Sequence, residues 1–366
     1  MRISNRRLAL IAVILWVAVA ALFGYFMWIG WGFSALGNGE PSSSSSTSST
    51  QRSGSSSSAS SVTTVTTASA GQTTTLDVSA GGDVMGDRKV GTFVDNNGGA
   101  AVFSKVKSYF KDADLAFVNL ESPLSSKGTD RKYKTFTFRG RPALVDGLTS
   151  AGIDVVSLAN NHQLDWGSAA LTDEISRLDA VGVAHAGAGS NKQAATAPAI
   201  IKTSAGTVAV LAYTQIISSS SATPDSPGTN GLSTNHQAVI DAVKSAKKTA
   251  DYVIDAGADL VLGHHPHVIQ GLEIYKDKLI AYSLGDFVFD HRTRATGEAF
   301  ILQVKLAKTG RPQLTAIPVY LSDSSGIPAV VTGSAASSIN QRLAKYSKGL
   351  GLNLVESGGR LTLPTA

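Results

Sequence analysis

From residue 76 onward the chain carries short unbroken apolar runs, each closing on a cluster of polar residues. Leu76-Asp77-Val78-Ser79-Ala80 leads into Gly81-Gly82-Asp83-Val84-Met85-Gly86-Asp87, and Leu115-Ala116-Phe117-Val118 into Asn119-Leu120-Glu121-Ser122-Pro123. Asp154-Val155-Val156-Ser157-Leu158-Ala159 ends in Asn160-Asn161-His162-Gln163-Leu164-Asp165-Trp166-Gly167, and Ala258-Asp259-Leu260-Val261-Leu262 in Gly263-His264-His265-Pro266-His267. A further run, Leu279-Ile280-Ala281-Tyr282-Ser283-Leu284, ends in Gly285-Asp286-Phe287-Val288-Phe289-Asp290. Runs of this length bounded by glycine and polar residues read as buried strands. Helical spacing replaces them at Val239, Ala242, Val243, Ala246, Ala250, Val253 and Ile254, which fall on one face, and again around Ile339–Tyr346. The pattern predicts an α/β domain over residues 76–322, with an extension over 323–366 made of one amphipathic helix and a strand-like end.

The first 75 residues follow other rules. Arg2, Arg6 and Arg7 precede an uncharged apolar stretch over residues 8–29, long enough to cross a bilayer. The positive flank, residues 1–7, belongs in the cytoplasm, and Trp28 and Trp31 suit the outer interface. A cleavable signal would have a shorter apolar core and a better small-x-small site than Ala35 and Gly37 offer. The expectation is a transmembrane signal-anchor with the remainder of the chain outside a bacterial plasma membrane. Residues 30–75 are dominated by Ser and Thr, too polar to bury a core, and read as a flexible tether.

Three of the seven histidines of this 366-residue chain sit in the single loop after Leu262. In open α/β sheets ligands gather at the carboxyl ends of strands, and a His-Pro-His step directs two rings into one cavity. Asp83, flanked by glycines, is placed to act as a carboxylate ligand there. The competing reading of each strand-end Asp or Asn is a turn or cap residue, because its side chain mimics the backbone; five such endings in one domain favour a metal. Gly81-Gly82 lacks the lysine and hydroxyl residue of a nucleotide loop. A net charge of +5 suits acidic surfaces, but no basic run interleaved with aromatics points to nucleic acid. With no cysteine, thiolate ligands and disulfides are excluded.

The ordered set Gly-Asp-Val-Met at 82–85, Asn-Leu-Glu at 119–121, Asn-Asn-His at 160–162 followed by Asp165 and Gly167, Gly-His-His-Pro-His at 263–267 and Ser-Leu-Gly-Asp-Phe-Val-Phe at 283–289 resembles the CapA capsule and poly-γ-glutamate biosynthesis family. The resemblance runs from about Leu76 to about Val319. It implies a calcineurin-like metallophosphatase fold, an α+β sandwich in four αββα layers of mixed sheets, with a two-metal site at the strand ends. By that resemblance Asp83 and His267 hold one metal, Glu121 bridges, Asn161 and His265 hold the second, and His162 is the general acid. Two divalent ions about 3.5–4 Å apart can bind an oxyanion and activate a bridging water. Mixed oxygen and imidazole donors favour Mn, Fe or Zn over Ca.

Two departures qualify this. Members of that family usually carry a strand ending in His-Trp-Gly, then a helix, before the Gly-His-His-Pro-His motif. Here the helical stretch ending at Ile254 passes straight into Asp255, which removes a ligand of the second metal and leaves a lane of the sheet unfilled unless neighbouring strands close up. His236, the histidine of the intervening region, reads as a surface residue at a helix start. At 286 the family more commonly has Asn, so Asp286 is either an added anionic ligand or a turn substitution. Two functions remain open. One is an envelope protein that binds and guides an anionic capsular polymer such as poly-γ-glutamate within a membrane synthesis or export complex. The other is an active metal-dependent phosphoesterase or hydrolase acting on envelope polymers.

Overall fold

The structure, a computed structural model, describes residues 10–15, 61–68, 75–131, 134–216, 220–231, 251, 254–255, 257–290 and 293–364. The strands in chain order are β1 (Leu10–Leu15), β2 (Ser61–Ala68), β3 (Leu76–Val84), β4 (Leu115–Leu120), β5 (Val155–Ser157), β6 (Ala184–Ala186), β7 (Ala188–Gly189), β8 (Ala199–Thr203), β9 (Gly206–Thr214) and β10 (Gly228–Thr229). They continue as β11 (Ala258–Leu262), β12 (Leu272–Tyr275), β13 (Lys278–Ala281), β14 (Asp286–Val288), β15 (Glu298–Leu306), β16 (Gln313–Leu321), β17 (Pro328–Val330), β18 (Val355–Ser357) and β19 (Arg360–Thr362). The helices used below are α1 (Arg88–Asn97), α2 (Ser108–Lys111), α3 (Leu144–Ala151), α4 (Gly167–Val181), α5 (Lys192–Thr196), α6 (Arg294–Gly297) and α7 (Gly333–Gly349).

Two mixed sheets face each other. The first runs β18-β19-β16-β15-β3-β4-β5-β6, with β14 beside β3 and β17 beside β16. Its central strands β3 to β6 are parallel. The second runs β12-β13-β11-β1-β2-β9-β8. Strand β4 shows how one sequence serves two cores. Leu115 and Phe117 enter the apolar layer between the sheets with Val208, Val210, Leu260 and Leu262. Ala116, Val118 and Leu120 enter the layer beneath the helices with Val90 and Val94 of α1, Leu144 and Leu148 of α3, and Leu171 of α4. Alternate side chains of a strand leave opposite faces, so a strand buried on both sides reads as an unbroken apolar run.

This arrangement is an α/β sandwich of helices, sheet and sheet. The residues expected to form a helix over 239–254 lie almost wholly outside the described residues, and so does the outer helical layer they would supply. The strand expected over 279–284 ends at Ala281, and that expected over 154–159 is confined to Val155–Ser157, because the chain turns early to deliver its polar residues. After residue 322, α7 packs on β16, β12 and β19, and β18 and β19 form a hairpin.

The N-terminal region differs from its expected organisation. Within the stretch read as a tether, Ser61–Ala68 forms β2, whose Val and Thr are β-branched and favour extended backbone. It pairs antiparallel with β9, from Ser61 opposite Thr214 to Ala68 opposite Thr207. Leu10–Leu15, inside the apolar stretch, is also a strand, parallel to β9 and β11. The lane between β9 and β11, where the missing segment would fall, is thus occupied by chain from before the domain. The rest of the 8–29 stretch lies outside the described residues. Among the described residues no helix is long and apolar enough to cross a membrane.

Candidate metal centre

The sequence places its ligands by stopping strands at one level. At the end of β3 the register against β4 shifts between Ala80 and Asp83, a bulge across Gly81-Gly82 that re-aims Asp83. Strand β14 sets Asp286 directly beside Asp83 in parallel register, and the Asp83 N–H donates to the Gly285 carbonyl at 3.0 Å. Glu121 follows β4, tied by its N–H to the Val84 carbonyl at 2.7 Å. Asn160, Asn161 and His162 follow β5, and His264 to His267 follow β11. His265 and His267 have φ of 90° and 57°, a region L-residues rarely adopt. Such strain persists where the surroundings over-determine it, commonly at functional sites.

Four of the expected residues converge. His267 Nδ1 lies 3.5 Å from Asp83 Oδ2, and His265 Nδ1 lies 3.8 Å from Glu121 Oε1. His264, expected only as part of the motif, is fully buried with Nδ1 3.2 Å from Asp83 Oδ1. Two sets of three donors each fall within 4.8 Å of one another: Glu121, His265 and His267, and Asp83, His267 and Asp286. Asn161 offers a buried Oδ1 with no hydrogen-bond partner.

The site's electrostatics are those of a cation pocket. Glu121 Oε1, Asn161 Oδ1 and His265 Nδ1 are buried without hydrogen-bond partners, at a cost a bound cation would remove. Burial, reinforced by the charge of Asp83, pushes the Glu121 carboxyl well above its usual range. Burial raises Asp83 too, but His264 and His267 beside it outweigh that and hold it below. Burial pushes His265 well down, aided by His267. His267 goes the other way: burial opposes its charge, yet Asp286, Asp83 and Glu121 together raise it to about 10. A neutral imidazole and ionised carboxylates are the forms that bind metal, so an ion here has to displace the proton of His267; mixed N/O donors fit Mn, Fe or Zn.

Supporting residues fix this geometry. Asn119 Nδ2 donates to Asp83 Oδ1 at 2.9 Å and to Glu121 Oε2 at 2.5 Å, leaving Glu121 Oε1 free for a cation. Asn160 Nδ2 donates to the Leu120 carbonyl at 2.8 Å and to Asn119 Oδ1 at 3.3 Å, which orients that amide. His162 stands beside the pocket with Nδ1 2.7 Å from Asp165 Oδ2, its ring stacked on Phe138 at 4.0 Å between centroids. Asp165 also accepts from the Phe138 N–H at 2.8 Å and pairs with Lys134, whose ammonium donates to the Asn161 carbonyl at 2.6 Å. Burial first, then the Lys134 charge, press His162 down to about 4, although Asp165 pulls the other way. His162 is therefore neutral at pH 7 with one nitrogen held by a carboxylate. Arg88, ion-paired with Asp290 at 2.6 Å, lies over the Phe138 ring at 4.8 Å.

Sequence reasoning missed the orienting role of Asn119, the Lys134-Asp165 pair and Phe138. The segment from Ser122 to Pro142 has neither helical nor strand period, so only folding brings Lys134 and Phe138 to His162. Asp286 was visible as a strand-end carboxylate, but its pairing beside Asp83 was not.

The chain matches the family model described as "Bacterial capsule synthesis protein PGA_cap" over residues 77–254 and 241–291. It is 29% identical over 280 residues to "Capsule biosynthesis protein CapA" of Bacillus anthracis, covering 68% of each chain. It is 27% identical over 304 residues to "PGA biosynthesis protein CapA" of Bacillus subtilis, covering 74% of this chain and 78% of that one. To a "Probable polyglutamine synthesis accessory protein" of Mycobacterium tuberculosis it is 28% identical over 230 residues, covering 53% of this chain and 60% of that one.

Proposed function

The chain belongs to the bacterial capsule synthesis protein family PGA_cap, and from that premise we propose that it is a membrane-anchored envelope protein of capsule or poly-γ-glutamate synthesis or export. In this reading a divalent Mn, Fe or Zn ion, held among Asp83, Glu121, Asn161, His265 and His267, engages the anionic polymer. The observation that carries the proposal is the convergence of buried carboxylate and imidazole donors at the ends of β3, β4 and β11, with Glu121 Oε1 and His265 Nδ1 left without hydrogen-bond partners. When bound, the metal supplies a Lewis-acid contact for a carboxylate or phosphate oxygen. Asn119 orients the carboxylates, and the pressed-down His265 stays neutral. The partners are the polymer and a membrane synthesis or export complex, with the domain on the outer face.

The two matched segments share residues 241–254, as expected if the family's intervening strand and helix are absent from this chain. That absence weakens the second metal position and favours binding over hydrolysis. The anchor rests on the uncharged stretch 8–29 and its arginine flank. Leu10–Leu15 cannot both span a bilayer and pair with β9. In the anchored form Leu10–Leu15 leaves the sheet for the bilayer, and β2 remains paired with β9. Fractionation tests this: the full chain should resist carbonate extraction from membranes, and recovery in the soluble fraction would overturn the anchor.

The polymer role is tested by complementation. In a strain deleted for its own copy, the wild-type chain should restore surface polymer and Glu121→Gln should not; equal restoration by both would overturn a role for the metal pocket. A hydrolase reading is favoured by the neutral His162 held through Nδ1 by Asp165, which leaves its other nitrogen able to take a proton from an attacking water, the part of a general base rather than of the expected general acid. If the chain hydrolyses an aryl phosphate in the presence of Mn, His162→Ala should lower kcat by about 10²–10⁴. No hydrolysis by the metal-loaded wild type would leave the binding role alone.

A further inference from the structure

We propose that Asp286 is a metal ligand of this chain, completing with Asp83 and His267 a single tight divalent-cation site that dominates over the position formed by Glu121, His265 and Asn161. The inference rests on the reading of a metal centre given above and names which half of it carries the ion.

Asp286 is buried, at 1% exposure, directly beside Asp83 on the neighbouring parallel strand. Two buried carboxylates placed side by side repel each other, and a divalent cation between them lowers that cost. His267 Nδ1 lies 2.7 Å from Asp286 Oδ1 and 3.5 Å from Asp83 Oδ2, and the three donors fall within one 4.8 Å group. Ligands bound at about 2.0–2.2 Å stand about 3.0–3.5 Å from one another, so small side-chain shifts admit an ion to this set. Two carboxylates balance the charge of a divalent ion.

The other position has a poorer donor set. Glu121 supplies the carboxylate, His265 an imidazole, and Asn161 only a neutral amide oxygen. The backbone supports the same asymmetry, since the His265 N–H donates to Asp83 Oδ2 at 3.1 Å and the Asp83 N–H is fixed by the Gly285 carbonyl of the turn that carries Asp286. Asp83 and Asp286 are thus locked to one scaffold, while Asn161 sits on a separate loop after β5.

The test is Mn2+ titration of the metal-depleted, detergent-purified full chain, with free Mn2+ counted by electron paramagnetic resonance. Wild type should bind one Mn2+ tightly; Asp286→Asn, an isosteric change, should weaken it at least tenfold, and Asp286→Ala should do the same. His265→Ala should weaken that first affinity by less than Asp286→Asn does. Equal affinity of wild type and Asp286→Asn, or a larger loss in His265→Ala, would overturn the proposal while leaving a metal centre in place. Failure of the folded wild type to bind Mn2+ or Zn2+ at all would instead overturn the metal reading itself. Circular dichroism of each apo variant identifies any that fails to fold; should Asp286→Asn do so, the Asp286→Ala and His265→Ala pair decides.

Discussion

A Cβ added at Gly82 would stand 1.8 Å from the Gly285 carbonyl oxygen, so no other residue fits between the strands that carry Asp83 and Asp286. Gly82→Ala should destabilise the folded chain by at least ~2 kcal/mol through this overpacking and should also weaken metal binding, checked by thermal melting with and without Mn2+. An unchanged melting temperature would show that the two strands part freely. At this scale the site was largely legible. Asp83, Glu121, His265 and His267 announce themselves because each follows an apolar run, and the sheet brings such positions to one edge whatever lies between them in sequence. Asn161 and His162 follow the same rule from β5. Asn119 was on the page as part of the same ending, but its role of holding two carboxylates at once depends on a distance that no spacing gives. Lys134 and Phe138 come from an aperiodic loop, and nothing local to that loop points at His162.

Between elements, the helical layer is tied to the site's sheet through a buried acid. Glu174, on the inward face of α4, accepts the Leu124 N–H at 2.9 Å just beyond the Glu121 turn. Burial, then the charge of Asp173, push its carboxyl well above the usual range. A raised folded value means the protonated form is favoured. Its contribution to stability is full below the unfolded value near 4.3 and is lost as pH rises through the folded value. Glu174→Gln keeps the acceptor and removes the buried charge, so it should melt higher than wild type at pH 8 and equal to it near pH 4. A variant that melts lower at pH 8 would contradict this account of Glu174. The strands themselves were read well because runs buried on both faces are conspicuous. Their ends were not, since Leu158 and Ser283 are as apolar or as buried as strand residues but belong to the turns. The pairing of β2 with β9 was unreadable for a different reason: strand pairing is decided by the vacancy in the sheet, and a Ser/Thr-rich segment shows no sign of the partner it will meet.

Over the whole molecule, the proposed metal centre stands at the end of the layer where the two sheets meet, with β3, β4, β5 and β14 from one and the loop after β11 from the other. A cation there would link the sheets without a disulfide, in a chain that has no cysteine. Metal at about 100 times its dissociation constant should stabilise the fold by about 2.7 kcal/mol, a rise in melting temperature of about 5 °C or more. The central claim is that this fold holds a transition metal through the histidines of the β11 loop. The most direct check is elemental analysis by mass spectrometry of the full chain, purified without chelator and reconstituted with Mn, Fe or Zn, beside a His265→Ala, His267→Ala double variant. The account predicts about one equivalent in the wild type and none in the variant. A folded wild type without metal, or a variant that keeps it, would contradict the metal centre.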